Sequence, residues 1–409
     1  MDMAVHIMAK PAGPACNLDC GYCFYTEKEA LFGGGSQRMS EDVLEAYTIA
    51  NCRQSPQEIV FAWQGGEPTL LGIDFFRRAL ALQSQHANGK RITNTIQTNG
   101  TLLDDEWCKF FAENDFLVGL SLDGPAEIHD RYRVDREGNP THARVMKALG
   151  CLKRHGVKYN VLACVGNVSS KHPDEIYAFF KEASVQYIQF IPIVERLPDH
   201  AARDHGLKLG MPPSGDGGSL EVTEWTAQPE AYGDFLISVF DSWVRSDVGN
   251  IFVMHFEWAF STWMGYEAPT CRFAPRCGRS FIMEYNGDVY ACDHYVYPEY
   301  RLGNIRSDSL AAMAGSGAQL SFGAAKEDRL PGSCRQCQWL IHCRGGCPKH
   351  RFMVALNGDH DLNYLCPGYT KYFSHINKYM NMMKKLIEVG QPASRIMDVI
   401  RGPLAVVTK

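Results

Sequence analysis

Fifteen cysteines in a chain of 409 residues are distributed in a way that few folds accommodate. Three lie within eight residues (Cys16, Cys20, Cys23), eight lie between Cys271 and Cys366, and four are scattered (Cys52, Cys108, Cys151, Cys164). A disulfide framework belongs to short secreted chains. This chain is long, and Met1 to Lys10 lacks a charged stretch followed by an apolar one, so no secretory signal is expected. In a reducing compartment cysteines serve as metal ligands, as nucleophiles or as small hydrophobes. Two dense groups separated by a long sparse stretch point to metal. Hydrophobic residues at 45% and charged residues at 21% allow a substantial core and exclude disorder as the main state. A net charge of −5 makes nucleic acid a poor partner. No apolar run is long enough to span a bilayer, so the expectation is no membrane and a cytoplasmic location.

The first half alternates between two hydrophobic periods. Strand-length apolar runs occur at Val5–Ala9, Ile59–Trp63, Ile92–Gln97, Phe116–Leu122, Tyr159–Val165 and Tyr187–Ile193. Between them Glu41–Cys52, Asp74–Gln85, Asp104–Glu113, His142–Arg154 and Asp174–Glu182 carry apolar residues every three to four positions, as on one helical face. Strand and helix repeated this way predict parallel βα units, here a partial (β/α)6 TIM-like barrel of the α/β class. Ligands of such folds bind at the C-terminal strand ends. Arg196 to Thr223, rich in Pro, Gly, Asp and His, breaks the pattern; a loop this long is either functional or disordered. Pro229–Ser246 reads as a helix, Asn286-Gly287 as a hairpin turn, and Tyr369–Val389 as a C-terminal helix. The expected division is a barrel over 1–235, a helical connection over 236–265, a small Cys-rich domain over 266–370, and a helix and tail over 371–409.

Cys16-x3-Cys20-x2-Cys23 follows the first strand, at the mouth of the predicted barrel. Three thiolates at this spacing can hold a [4Fe–4S] cluster with one iron open. Zinc closed by a distant fourth ligand is the alternative. The spacing resembles the signature of the radical S-adenosylmethionine (SAM) superfamily. The resemblance extends to Gly65-Gly66-Glu67-Pro68 after the second strand, Gln97-Thr-Asn-Gly100 after the third and Ser121-Leu-Asp-Gly124 after the fourth. It implies SAM contacts from Tyr22, Gly66, Ser121 and Arg133, and adenine packing by Val194. A glycine at position 66 would let backbone approach the SAM amino group.

The downstream eight, with Cys334-x2-Cys337-x5-Cys343-x3-Cys347 at their centre, resemble a SPASM domain with two auxiliary [4Fe–4S] clusters. That resemblance assigns Cys271, Cys277, Cys292 and Cys347 to one cluster and Cys334, Cys337, Cys343 and Cys366 to the other. By spacing alone, two closed zinc sites would serve equally. The remaining four cysteines read as small hydrophobes.

Along nearly its whole length, from about Lys10 to about Lys385, the chain resembles the anaerobic sulfatase-maturating enzymes. Cys20-Gly-Tyr-Cys-Phe-Tyr25, Trp63-Gln-Gly-Gly-Glu-Pro-Thr69 and Asn286-Gly-Asp-Val-Tyr-Ala-Cys-Asp-His294 carry much of that likeness. It implies three [4Fe–4S] clusters, SAM, and oxidation of a cysteine or serine of a sulfatase to Cα-formylglycine. In that chemistry a 5′-deoxyadenosyl radical abstracts hydrogen from Cβ, a base takes the thiol or hydroxyl proton, and an auxiliary cluster takes the electron. Asp293 is the expected base, because it follows the expected cluster ligand Cys292; Tyr25 and Gln64 are expected to orient the peptide. The implied partners are an unfolded or nascent sulfatase polypeptide and an electron donor such as flavodoxin or ferredoxin. Two other readings compete. One is a SPASM enzyme forming thioether or carbon–carbon crosslinks in a precursor peptide, which often carries an extra N-terminal domain for which residues 1–15 leave no room. The other is a non-enzymatic iron–sulfur or zinc protein.

Overall fold

The structure is a computed structural model that describes residues 5–33, 37–54, 57–212 and 220–401. Six parallel strands form the expected partial barrel: β1 (His6–Lys10), β2 (Glu58–Trp63), β3 (Arg91–Thr98), β4 (Leu117–Ser121), β5 (Lys158–Val165) and β6 (Tyr187–Pro192). Each starts within a residue of its predicted position. Helices Glu41–Gln54, Ile73–His86, Asp105–Glu113, His142–Arg154 and Pro173–Glu182 stand between them. Their apolar stripes bury Tyr47, Phe76, Phe111, Leu149 and Phe180 against the outer face of the sheet. Trp63 lies near the centre of this layer, with Tyr47 and Phe76 edge-on at 5.6 and 5.8 Å. Such edge-to-face pairs add to the burial of large rings.

The sheet does not stop at six strands. β7 (Phe252–Val253) pairs parallel with β6 at one end. At the other end β8 (Ser280–Glu284) pairs parallel with β1, and β9 (Asp288–Tyr290) and β10 (Arg301–Asn304) continue it antiparallel. The order is β10-β9-β8-β1-β2-β3-β4-β5-β6-β7. The Asn286-Gly287 hairpin signal is therefore correct, and its strands extend the barrel sheet. Residues 235 and 370, the expected division points, fall inside the helices Pro229–Ser246 and Cys366–Glu388. These two helices cross where Gly233 meets Gly368. A Cβ on Gly368 would lie 2.0 Å from the Pro229 carbonyl oxygen, so glycine is required for this approach.

Among the described residues several helices were not read individually, although Met254–Trp263 falls inside the expected helical connection over 236–265. Met254–Trp263 is apolar on most sides and shows no amphipathic period. Leu310–Ala314 and Gly317–Asp328 are capped by Ser309 and Ser316, whose side chains accept from Ala312 N and Gln319 N. Glycine masks the propensity of the second, and Gly323 is there for clearance: its Cβ would lie 2.8 Å from the Cys277 carbonyl oxygen. The 196–223 segment is not a bare loop. Arg196 bridges Val222, Leu197 N donates to Glu221 O, and His200–Asp204 is a short helix. Residues 213–219, most of its Gly-Pro run, lie outside the described residues, as do 402–409 of the expected tail. Among the described residues no helix is long and apolar enough to cross a membrane.

Candidate functional site

A cavity of about 210 Å³ opens at the C-terminal ends of the barrel strands. Cys16, Cys20 and Cys23 line it, with Tyr22, Tyr25, Gln64, Gly66, Ser121, Arg133 and Asp293. Nine of the ten residues that sequence reasoning placed around SAM and substrate, or in the first cysteine group, thus line one cavity with the expected base. Val194 does not. It is buried in the main core, and Ile191, Pro192, Ile193 and Glu195 form the cavity wall at this strand end.

Local bonding explains how the cysteine loop is held. Leu18 N approaches Cys16 Sγ at 3.4 Å, and the Asn99 amide donates to Asn17 Oδ1 at 2.8 Å. Glu67 is fully buried; its carboxylate accepts from Thr69 N, Thr69 Oγ1, Thr98 Oγ1 and Asn99 N, tying the turn after β2 to the end of β3. Gly66 N donates to Gly13 O and Glu67 N to Ala15 O. A Cβ on Gly66 would sit 2.0 Å from the Ala15 carbonyl oxygen. The glycine is thus required by the protein's own cysteine loop, a clearance that the reading of Gly66 as a ligand approach did not contain.

Burial raises the Cys16 thiol to about 11 and lifts Cys20 further still. Clustered, desolvated thiols of this kind ionise when cations bind them. Tyr22 Oη donates to Asp123 Oδ2 at 2.5 Å, and Arg133 Nε donates to the same oxygen at 2.8 Å. Burial works most strongly to raise the Asp123 carboxyl, but Arg133, His129 and the Tyr22 hydroxyl together outweigh it and hold the group below its ordinary value. Part of Arg133 is therefore committed to Asp123. Ser121 Oγ accepts from Gln97 Nε2 at 3.0 Å. Cys164, read as packing, is half-buried, lines the cavity and approaches Arg133 Nη2 at 3.8 Å.

The opposite wall is a charged network that sequence reasoning largely missed. Lys10 is 1% exposed, and its ammonium contacts Asp293 Oδ1 at 2.5 Å and lies 3.3 Å above the centre of the Tyr25 ring. Tyr25 Oη donates to Glu284 Oε2 at 2.6 Å, so this hydroxyl, expected to face peptide, is already engaged. Register explains the grouping: Lys10 of β1 is the direct partner of Glu284 of β8, and the hairpin then returns Cys292-Asp293 to the mouth. Burial works to raise the Asp293 carboxyl, while Lys10, by its charge and its hydrogen bond, is the main influence holding it below its ordinary value. Burial pushes Glu284 up to about 7 against the opposing Lys10 charge. Lys349 pairs with Glu195 and caps the Phe24 ring. Burial drives His294 down to about 3, keeping its ring neutral. Gln64 Oε1, Arg272 Nη1, His294 Nδ1 and His350 Nδ1 are buried without protein partners around this cavity, which fits a site built to receive polar ligands.

The eight downstream cysteines gather as two sets. Burial raises the Cys292 thiol most, and Cys347, Cys271 and Cys277 raise it further. Around Cys334, raised to about 11, burial acts first and then Cys366 and Cys337; around Cys343, raised to about 12, burial is followed by Cys366 and Cys334. A second cavity of about 420 Å³ is lined by Cys334, Cys337, Cys343 and Cys366 with Trp339, Tyr369 and Phe373. Two sets of four desolvated thiols, and three more facing the barrel cavity, fit three polynuclear metal centres.

Known proteins agree with this layout. The radical SAM superfamily model matches residues 11–180, and an iron–sulfur cluster-binding domain model, SPASM, matches residues 271–338. The latter match ends before Cys343, Cys347 and Cys366, which the fold nonetheless brings into the two sets. The chain is 43% identical over 400 residues to a serine-type anaerobic sulfatase-maturating enzyme of Bacteroides thetaiotaomicron, covering 97% of this chain and 95% of that one. It is 32% identical over 375 residues to a cysteine-type enzyme of Clostridium perfringens, covering 90% and 95%. A solved structure, native anSMEcpe with bound AdoMet, is similar at a TM-score of 0.81 and 32% identity, covering 93% of this chain and 99% of that chain.

Proposed function

The chain belongs to the anaerobic sulfatase-maturating enzymes of the radical SAM superfamily, and from that membership we propose how its own residues oxidise a sulfatase side chain to Cα-formylglycine. Its cofactors are [4Fe–4S] clusters and SAM. When bound they supply hydrogen-atom abstraction and a sink for one electron. Cys16, Cys20 and Cys23 hold the cluster that binds SAM. Cys271, Cys277, Cys292 and Cys347 hold the first auxiliary cluster, and Cys334, Cys337, Cys343 and Cys366 the second. Ser121, Arg133 and Tyr22 line the SAM side of the cavity, and Gln64, with its free buried Oε1, faces the peptide.

Conversion of a –CH2OH group to –CHO removes one hydrogen atom, one proton and one electron. The proton goes to Asp293. The observation that carries this assignment is the position of its carboxylate, in the same cavity as the three N-terminal thiols and adjacent in chain to Cys292. Proton acceptor and electron acceptor thereby stand side by side. Lys10 keeps Asp293 ionised and ready to accept, and general-base assistance of this kind is worth about 10²–10⁴-fold. Higher identity to the serine-type relative, 43% against 32%, favours a serine target. The working partners are an unfolded sulfatase polypeptide and a low-potential electron donor such as flavodoxin or ferredoxin, in an anaerobic cytoplasm.

Anaerobic incubation with SAM, reductant and paired peptides carrying Ser or Cys at the sulfatase motif tests the reading. The expected result is loss of two hydrogens from the serine peptide and a product trapped by a hydrazide. Loss of two hydrogens without a hydrazide-reactive aldehyde identifies a crosslinking enzyme and refutes it.

A further inference from the structure

Outside the cavity, two of the cysteines read as packing stand beside an imidazole and a carboxylate. Asp105 and Cys108 are three residues apart on the helix Asp105–Glu113; Cys151 lies on the helix His142–Arg154, and His155 caps its C-terminus. Spacings of three and four put each pair on one helical face. The ligand atoms of Asp105, Cys151 and His155 all lie within 4.8 Å of one another. His155 Nε2 is 2.8 Å and Cys151 Sγ 3.4 Å from Asp105 Oδ1. A tetrahedral zinc site built from the usual Zn–S, Zn–N and Zn–O lengths has ligand-to-ligand edges of roughly 3.3–3.7 Å, so the cluster is already near that size. Cys108 is fully buried on the same helix as Asp105, but its thiol does not join the three ligand atoms that lie within 4.8 Å of one another. None of the four residues lines the SAM-side cavity.

We propose that Asp105, Cys151 and His155 form a three-ligand site for a zinc-class divalent cation that clips these two barrel helices together. Mixed thiolate, imidazole and carboxylate donors suit zinc over magnesium or calcium. One thiolate and one carboxylate balance the charge of a divalent ion. The Arg154 guanidinium, 3.2 Å from Asp105 Oδ1, orients the carboxylate from outside. The Asp105 and His155 side chains are 74% and 29% exposed, which opens a path for the ion from solvent.

The test uses untagged holoenzyme with its full iron complement, so that cluster cysteines are occupied. Metal analysis after dialysis against zinc and then buffer is expected to give about one zinc per chain, held by three protein ligands with the fourth position open. His155→Gln and Cys151→Ser are each expected to lose that zinc with iron content and reductive SAM cleavage unchanged. Cobalt substitution gives a second readout, a thiolate-to-cobalt absorption band absent in Cys151→Ser. Wild-type protein that retains no zinc, or variants that retain as much as wild type, overturns the proposal; zinc lost together with iron places the ion at the cluster cysteines and overturns it equally.

Discussion

Lys10 is almost fully buried, and Asp293 is its contact anion, so the two groups are expected to fail separately and be tolerated together. At 1% exposure the ammonium relies on the carboxylate 2.5 Å away and the Tyr25 face at 3.3 Å. Breaking a buried pair by removing one partner costs about 3–5 kcal/mol, whereas replacing both by apolar groups is often close to neutral. Asp293→Asn is therefore expected to lower stability at the upper end of single-substitution effects, although it keeps the side chain's shape. Lys10→Met leaves Asp293, 24% exposed on its side chain, with partial access to water, and costs less. The double variant is expected to recover most of the loss, giving a coupling of roughly 2–4 kcal/mol by a double-mutant cycle. Chemistry separates from stability in the same set. Aldehyde formation falls about 10²–10⁴-fold in Asp293→Asn and stays low in the double variant, because methionine restores packing and not a proton acceptor. Anaerobic thermal melts, iron content and single-turnover aldehyde yield measure these effects. Additive melting shifts, with a coupling under about 0.5 kcal/mol, refute the ion-pair argument. Wild-type turnover by Asp293→Asn removes the residue from the reaction.

Two further outcomes concern residues around the same cavity. Gly66→Ala forces a Cβ to within 2.0 Å of the Ala15 carbonyl oxygen. It is expected to cost about 1–3 kcal/mol and to abolish SAM cleavage by displacing the Cys16 loop; wild-type melting and cleavage rates would show that the contact relaxes freely. Glu284 rises from 4.5 to about 7, chiefly by burial, so between those values the native state holds a proton that the unfolded chain has released. Stability contributed by the neutral carboxyl is complete below pH 4.5, declines as pH rises to 7 and is gone above it; the interval caps the loss at about 3 kcal/mol. Glu284→Gln is expected to flatten that part of the stability profile, and identical profiles for variant and wild type would refute the assignment.

What the sequence reveals and what it hides differ for physical reasons. β1 to β6 are readable because a doubly covered parallel sheet demands apolar runs, and the intervening helices must show one apolar stripe. The division of the eight downstream cysteines came from the family resemblance and not from spacing, because Cys347 follows Cys343 in the chain yet gathers with Cys271, Cys277 and Cys292. Lys10 and Glu284 are not readable, since their contact is a register between strands 274 residues apart, and nothing local says that β8 would choose the free edge of β1. The only cue was a lysine ending an otherwise apolar strand, at the end where barrel ligands bind. Gly66 was singled out correctly as a close approach, yet the approaching group is the protein's own carbonyl. Val194 alternates to the core side of its strand end, and its neighbours face the cavity. Cys164 looked like packing because its neighbours in sequence are apolar; its Arg133 contact comes from a different strand connection.

The pairing of β1 with β8 also sets a clock during synthesis. His6 to Lys10 emerge early from the ribosome, and the strand that covers their second edge begins at Ser280. At typical elongation rates of 5–20 residues per second, β1 waits roughly 15–55 s for that partner. Throughout that interval its backbone donors and acceptors on one side are bare, and a bare strand edge is a template for pairing with other chains. Lys10, not yet beside Glu284 or Asp293, keeps the tip of that edge charged while it waits. A charge at such a position is the means by which edge strands discourage pairing with other chains.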